Sequence, residues 1–156
     1  MGTPARIQRL IGSRELEEIV PSPEKIVILW GKAVASGRDA RKGLSADNAI
    51  TLAYQAAMQA ASAYLESAGY RTRGGRPGHH YNTFYALAAF QLEGLESVDV
   101  ESETIRRKRA ASFYDRVEAT ERDVRSVLEW LDRLLPAIRR ELVAERPAIN
   151  DSLSDP

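Results

Sequence analysis

Ser45-Ala46-Asp47-Asn48-Ala49-Ile50-Thr51-Leu52-Ala53-Tyr54-Gln55-Ala56-Ala57-Met58-Gln59-Ala60-Ala61-Ser62-Ala63-Tyr64-Leu65-Glu66-Ser67-Ala68-Gly69 is the stretch that decides the fold. Ile50, Tyr54, Ala57, Ala61, Tyr64, Leu65 and Ala68 recur at three- and four-residue steps, which places them along one stripe of an α-helix. Ser45 suits the cap position, and Asn48 stands where a glutamate would complete a capping box. Gly69 supplies the positive φ that helix ends favour. Ala53, Ala56, Ala57, Ala60, Ala61 and Ala63 project so little that neighbouring helices can approach closely. The stretch predicts a long helix inside a bundle.

The same reading extends in both directions. A short helix is expected within residues 4–20, with Ile7, Leu10, Ile11 and Ile19 on its apolar face. Pro21 and Pro23 end it, and Ser22 with Pro23 opens a second helix over about 23–42. There Ile26, Leu29, Trp30, Ala33 and Ala40 share a face, and Gly43 is the stop. After Gly69 comes a loop with three glycines and a proline, Arg71 to His80, too broken for regular structure. A fourth helix is expected over about 81–95, with Tyr81, Phe84, Tyr85, Ala88, Leu92 and Leu95 inward. A polar link, 96–101, leads to a fifth over about 102–114, with Ile105 and Phe113 inward. The last, over about 120–144, opens on Thr120 and Asp123. Its seam is Val117, Val124, Leu128, Leu131, Leu135, Ile138 and Leu142. Pro136 lies inside it and predicts a kink about one turn earlier. No segment alternates at period two, so no sheet is expected. The reading gives one domain over residues 1–146 and a flexible tail over 147–156.

Composition narrows the chemistry. The 156 residues carry 22 basic and 22 acidic side chains, so global charge does not advertise a nucleic-acid binder. Cysteine is absent, which excludes disulfides and thiolate catalysis. No apolar run is long enough to span a membrane, and the arginine-bearing start does not read as a signal peptide, so a cytoplasmic location is expected. His79 and His80 are the only histidines and are adjacent, which suits no metal-ligand spacing, and no metal or cofactor is expected. The glycine-rich loop lacks the ending of a phosphate loop and follows no strand.

Two basic stretches remain. Arg71, Arg73 and Arg76 share a loop with His79 and His80, just before the start of the fourth helix. Open N–H groups at a helix start attract anions, and arginine forks match phosphate oxygens. Arg106-Arg107-Lys108-Arg109 sits on the fifth helix, with Tyr114 at its end. For each stretch the competing reading is a solvated surface.

Taken together, Ala49-Ile50-Thr51-Leu52-Ala53-Tyr54-Gln55-Ala56-Ala57, Gly69-Tyr70-Arg71, Gly78-His79-His80 and the basic segment through Tyr114 resemble the HEPN family of prokaryotic nucleotide- and RNA-associated domains. Arg9-Leu10-Ile11-Gly12 with Leu16-Glu17 is similar to the family's first helix. The resemblance covers roughly residues 5–118. It implies an all-α, HEPN-like bundle of five to six helices, with an up-down core and a long kinked C-terminal helix. It also implies a homodimer, a minimal nucleotidyltransferase partner, a toxin–antitoxin setting and metal-independent endoribonuclease chemistry. In that chemistry an arginine holds the scissile phosphate and a histidine, separated from it by four to six residues, moves a proton. Here Arg109 is followed by Ala110 rather than a polar residue, and Tyr114 stands in the histidine's place. The motif is degenerate in this chain. Arg73 precedes His79 by the family's spacing, but in the loop rather than on the later helix.

The expected site is therefore His79, Arg109 and Tyr114 for any catalysis, with Arg71, Arg73, Arg76, Arg106 and Arg109 binding RNA or nucleotide phosphate. The alternative is a non-enzymatic module for protein interaction or dimerisation. The two diverge on whether the 71–80 loop and the 106–114 helix face one another.

Overall fold

The computed structural model describes residues 2–75, 78–114 and 117–156, with Phe113 by its backbone alone. The expected phosphate contact of Arg76 and the inward placing of Phe113 lie outside the described residues. In chain order the elements are α1 (Ala5–Gly12), β1 (Leu16–Glu18), α2 (Pro23–Ala40), α3 (Ala46–Ala68), β2 (Tyr70–Thr72), α4 (His79–Ala89), α5 (Val98–Tyr114) and α6 (Glu121–Glu145), then a 3₁₀ turn, Pro147–Ser152. The class is all-α, with one small two-stranded ribbon.

α3 is the hub, and α2, α4, α5 and α6 all pack on it. Ala53, Ala56, Ala57, Ala60, Ala61 and Ala63 are all fully buried, which is why so many helices can reach one axis. Helix ends follow their local chemistry. The Ser22 hydroxyl accepts from the Lys25 N–H, Thr120 and Asp123 exchange both bonds of a capping box, and Gly69 ends α3 at φ 92°. Ser45 precedes α3 without a side-chain cap bond.

The structure corrects the expectation of no sheet. β1 and β2 pair antiparallel, Leu16 with Thr72, Glu17 with Arg71 and Glu18 with Tyr70. Gly69 reverses the chain out of α3 and lays it along the segment that follows α1. The pairing extends at both ends, Ile19 N–H to Gly69 O (2.9 Å) and Arg73 N–H to Glu15 O (3.1 Å). Ile19 therefore belongs to this ribbon and not to the first helix. α4 opens at His79 rather than 81 because Gly78 takes the cap position at φ 81°. It closes at Ala89 rather than 95, and Gln91 at φ 51° turns the chain away. Tyr81, expected inward, is exposed and stacks on Tyr85. α5 absorbs most of the expected polar link, since Asp99 and Glu101 suit the positive end of a helix.

α6 is continuous through Pro136. Its seam is spent inside the chain. Leu131, Leu135, Ile138 and Leu142 are buried, joined by Val127, Trp130, Leu134 and Ala137, while Val117 lies outside the helix and is 58% exposed. The homodimer expected from that seam loses this motive. The tail is also corrected, because it is docked rather than loose. Ile149 and Leu153 are buried, the Trp30 indole N–H donates to Ser154 O at 2.8 Å, and the Arg139 guanidinium donates to Leu153 O at 3.0 Å. No helix among the described residues is long and apolar enough to cross a membrane.

Candidate functional site

The two basic stretches do meet, in part. A cavity of about 850 Å³ opens where the N-terminal half of α3, the start of α4 and α5 from Glu103 onward converge. α3 contributes Asp47, Ile50 and Thr51, α4 and its cap contribute Gly78, His79, His80 and Tyr81, and α5 contributes Glu103, Arg106, Arg109, Ala110, Ser112 and Tyr114. The Ser112 hydroxyl donates to the Asp47 carboxylate and closes one rim.

The α4 side offers a helix start. Gly78 has no side chain to cap the first turn, so among the described residues the open N–H groups of that turn have no side-chain acceptor. His79 and His80 pack edge to face, ring centroids 4.1 Å apart. The start is fixed from behind by two hydroxyls. Thr83, fully buried, donates to His79 O at 3.0 Å, and Thr72 of β2 lies 3.0 Å from the Thr83 hydroxyl. The Thr83 proton is committed to His79 O, so Thr72 is the donor of the second bond.

The α5 side divides its cations. Arg106 is held by Glu103 through two bonds, 2.8 and 2.7 Å, and Arg107 meets the same carboxylate at 3.3 Å. Those bonds, Arg106 foremost, hold the Glu103 carboxyl below its ordinary range. Lys108 reaches Asp123 at the start of α6, 3.3 Å away. Arg109 differs. Among the described residues no carboxylate pairs with it, and its guanidinium carbon lies 5.1 Å from the centroid of the Tyr54 ring. Tyr54 also faces His80, at 6.1 Å between centroids, and Phe84 at 5.6 Å. Burial pushes the Tyr54 phenol up, against the opposing pull of Arg109 and Arg106. Burial first, then the neighbouring His79 and Arg109, pushes the His80 imidazole down, so its neutral form dominates at neutral pH.

The structure therefore brings His79, Arg106, Arg109 and Tyr114 together. It does not bring Arg71 or Arg73. Both lie by the ribbon, where Arg71 meets Glu17 at 2.6 Å and Arg73 lies 3.9 Å from the same carboxylate. Arg71 lies in β2 rather than in a loop, and strand pairing turns it toward β1. Asp47, Ile50, Thr51 and Glu103 join the cavity, as does His80, which the expected site left out. Of the α3 residues Ile50 reads as bundle stripe, and only the packing of α3 against α4 and α5 shows that all three face a hollow. No cluster of metal-ligating side chains occurs among the described residues.

The arrangement can hold an anion at Arg109 and the α4 start, beside a neutral imidazole and apolar walls. Comparison with family models, curated proteins and solved structures returns no match for this chain.

Proposed function

We propose that this chain is a HEPN-like helical protein that binds RNA or nucleotide phosphate in the cavity between α3, α4 and α5. One observation carries the reading. Arg109, without a carboxylate partner among the described residues, faces the same cavity as His79, His80 and the uncapped start of α4. A phosphate there would receive a guanidinium fork and backbone N–H groups together. His80, neutral and adjacent, is the group suited to accept the proton of a 2′-hydroxyl; that oxygen would bond to phosphorus, giving a 2′,3′-cyclic phosphate, as the bond to the 5′-oxygen breaks and that oxygen takes a proton from water, with His79 lining the same cavity. Such chemistry would be metal-independent ribonucleolysis. Within the HEPN reading the setting is a toxin–antitoxin pair with a minimal nucleotidyltransferase.

The test is a titration of labelled single-stranded RNA at two salt concentrations, in chelator, with cleavage read on the same samples. Arg109→Gln should weaken binding by about ten- to a hundredfold, the scale of a charge-assisted hydrogen bond. It should also lower the salt slope by about one counterion. Arg71→Gln, whose arginine is paired with Glu17 away from the cavity, should bind as wild type. No binding by wild type at low salt would overturn the reading.

A non-enzymatic interaction module is the second reading. It is favoured by the pairing of Arg71 with Glu17 and of Arg106 with Glu103, which spends two of the expected phosphate ligands on structure. The exposed apolar side chains Val100, Tyr114 and Val117 would then be contact surface.

A further inference from the structure

We infer that Tyr54 is the positioning residue of the cavity: its buried ring is the platform on which Arg109 is laid and against which His80 is set, so that cation and imidazole face the same hollow. The inference rests on the cavity being the site proposed above, and its main readout needs no ligand.

Tyr54 sits in the middle of the apolar stripe of α3 and is 2% exposed. A tyrosine there is ordinary core by its ring alone. Its neighbours make it more than core. One face of the ring meets a guanidinium from α5, another side meets an imidazole from α4, and Phe84 backs it. Three helices that contribute to the cavity thus meet on one side chain. Among the described residues no protein hydrogen bond engages the Tyr54 hydroxyl. The ring is therefore fixed by packing rather than by a bond at its tip.

Arg109 needs such a platform. Its neighbours Arg106, Arg107 and Lys108 are each steered by a carboxylate, Glu103 or Asp123. Among the described residues Arg109 has no such guide. A free arginine samples many rotamers, and ordering it on binding costs side-chain entropy. Stacking the planar cation on an aromatic face removes part of that freedom beforehand and leaves the N–H edges open to a ligand. The same ring limits where the His80 imidazole can lie. A leucine at this position would fill the core but offer no face to the cation.

The experiment uses the full chain and two substitutions, Tyr54→Phe, which keeps the ring, and Tyr54→Leu, which removes it. Proton NMR of the Arg109 side chain should show upfield ring-current shifts in wild type and in Tyr54→Phe, and their loss in Tyr54→Leu. The His80 titration midpoint should be kept by Tyr54→Phe and displaced by Tyr54→Leu. With labelled RNA as probe, Tyr54→Leu should bind about tenfold more weakly and Tyr54→Phe as wild type. Thermal melts report whether each variant folds. If Tyr54→Leu does not fold, two measurements remain. Wild-type Arg109 must show the ring-current shift, and Arg109→Gln must raise the His80 midpoint by removing a like charge. An unshifted Arg109 in wild type, or a His80 midpoint indifferent to both changes, overturns the inference. RNA that fails to bind while the shifts behave as described overturns the proposed function and leaves the platform standing.

Discussion

Leu153→Ala tests whether the last ten residues belong to the folded body. Leu153 is 3% exposed, lies beyond the 3₁₀ turn, and gives its carbonyl to Arg139. The substitution leaves that carbonyl and the Trp30 bond to Ser154 O in place, so it removes side-chain packing alone. Buried leucine-to-alanine changes cost about 2–5 kcal/mol, the low end applying where the surroundings can close in. A site outside the regular helices can do so, and about 2 kcal/mol is expected. For a chain of this length that is a fall of about 4–8 °C in Tm. Urea unfolding followed by far-UV circular dichroism is the assay, because helix content remains a common probe when Trp30 itself is changed. Trp30→Phe, which deletes the indole donor and shrinks a fully buried side chain, should cost about 1–3 kcal/mol. The double variant should lose less than the sum, since both changes loosen one docked segment. A Leu153→Ala midpoint within about 0.5 kcal/mol of wild type, the range of ordinary surface changes, would refute the docking argument.

Lowering pH should destabilise the fold through His80. Its folded pKa lies below the unfolded 6.5, so the unfolded chain binds the extra proton. The contribution is complete above 6.5 and is lost as pH falls from there toward the folded value. His80→Gln should flatten that part of a Tm-against-pH curve. At Gly37 an added Cβ would meet Arg41 Nη1 at 3.1 Å, Leu135 Cδ1 at 3.5 Å and Leu131 Cδ2 at 3.6 Å. Gly37→Ala should fall within about 1 kcal/mol of wild type, helix propensity offsetting the tight contact, whereas Gly37→Leu should lower stability by about 1–3 kcal/mol in the same urea assay. Thr120→Ala removes the acceptor for the Asp123 N–H and should cost about 1 kcal/mol, read by calorimetry; no change in Tm would mean the capping box is not formed in solution.

What could be read from the sequence was whatever depends on neighbours three or four residues apart. The α3 stripe, the caps at Ser22 and Thr120, the stop at Gly69 and the inward Ile105 are all of that kind, and they fix the helices. What could not be read depends on partners far along the chain. Leu16–Glu18 and Tyr70–Thr72 are too short to display a period of two, and their pairing spans more than fifty residues. The pairing of Arg71 with Glu17 follows from it, and with it the division of the arginines between ribbon and cavity. Ile149 and Leu153 read as part of a flexible tail because three apolar side chains with Pro147 make no periodic pattern. The cavity was half legible. His79, Arg106, Arg109 and Tyr114 were named as chemistry, but Tyr54 reads as core in any stripe, and only the arrival of α4 and α5 on its ring gives it a second role.

The hydroxyl chain from Thr72 through the fully buried Thr83 to His79 O ties the ribbon to the first turn of α4. Parting β2 from α4 would take from the fully buried Thr83 hydroxyl oxygen the donor it accepts from, so the two elements should open together rather than fray one by one. In amide hydrogen exchange the protected N–H groups of the ribbon and of early α4 would then share one opening free energy. The cavity would exist only in the closed population. A partner or ligand that pulls on the ribbon, some distance from His80 and Arg109, would thereby set the fraction of molecules with an assembled site.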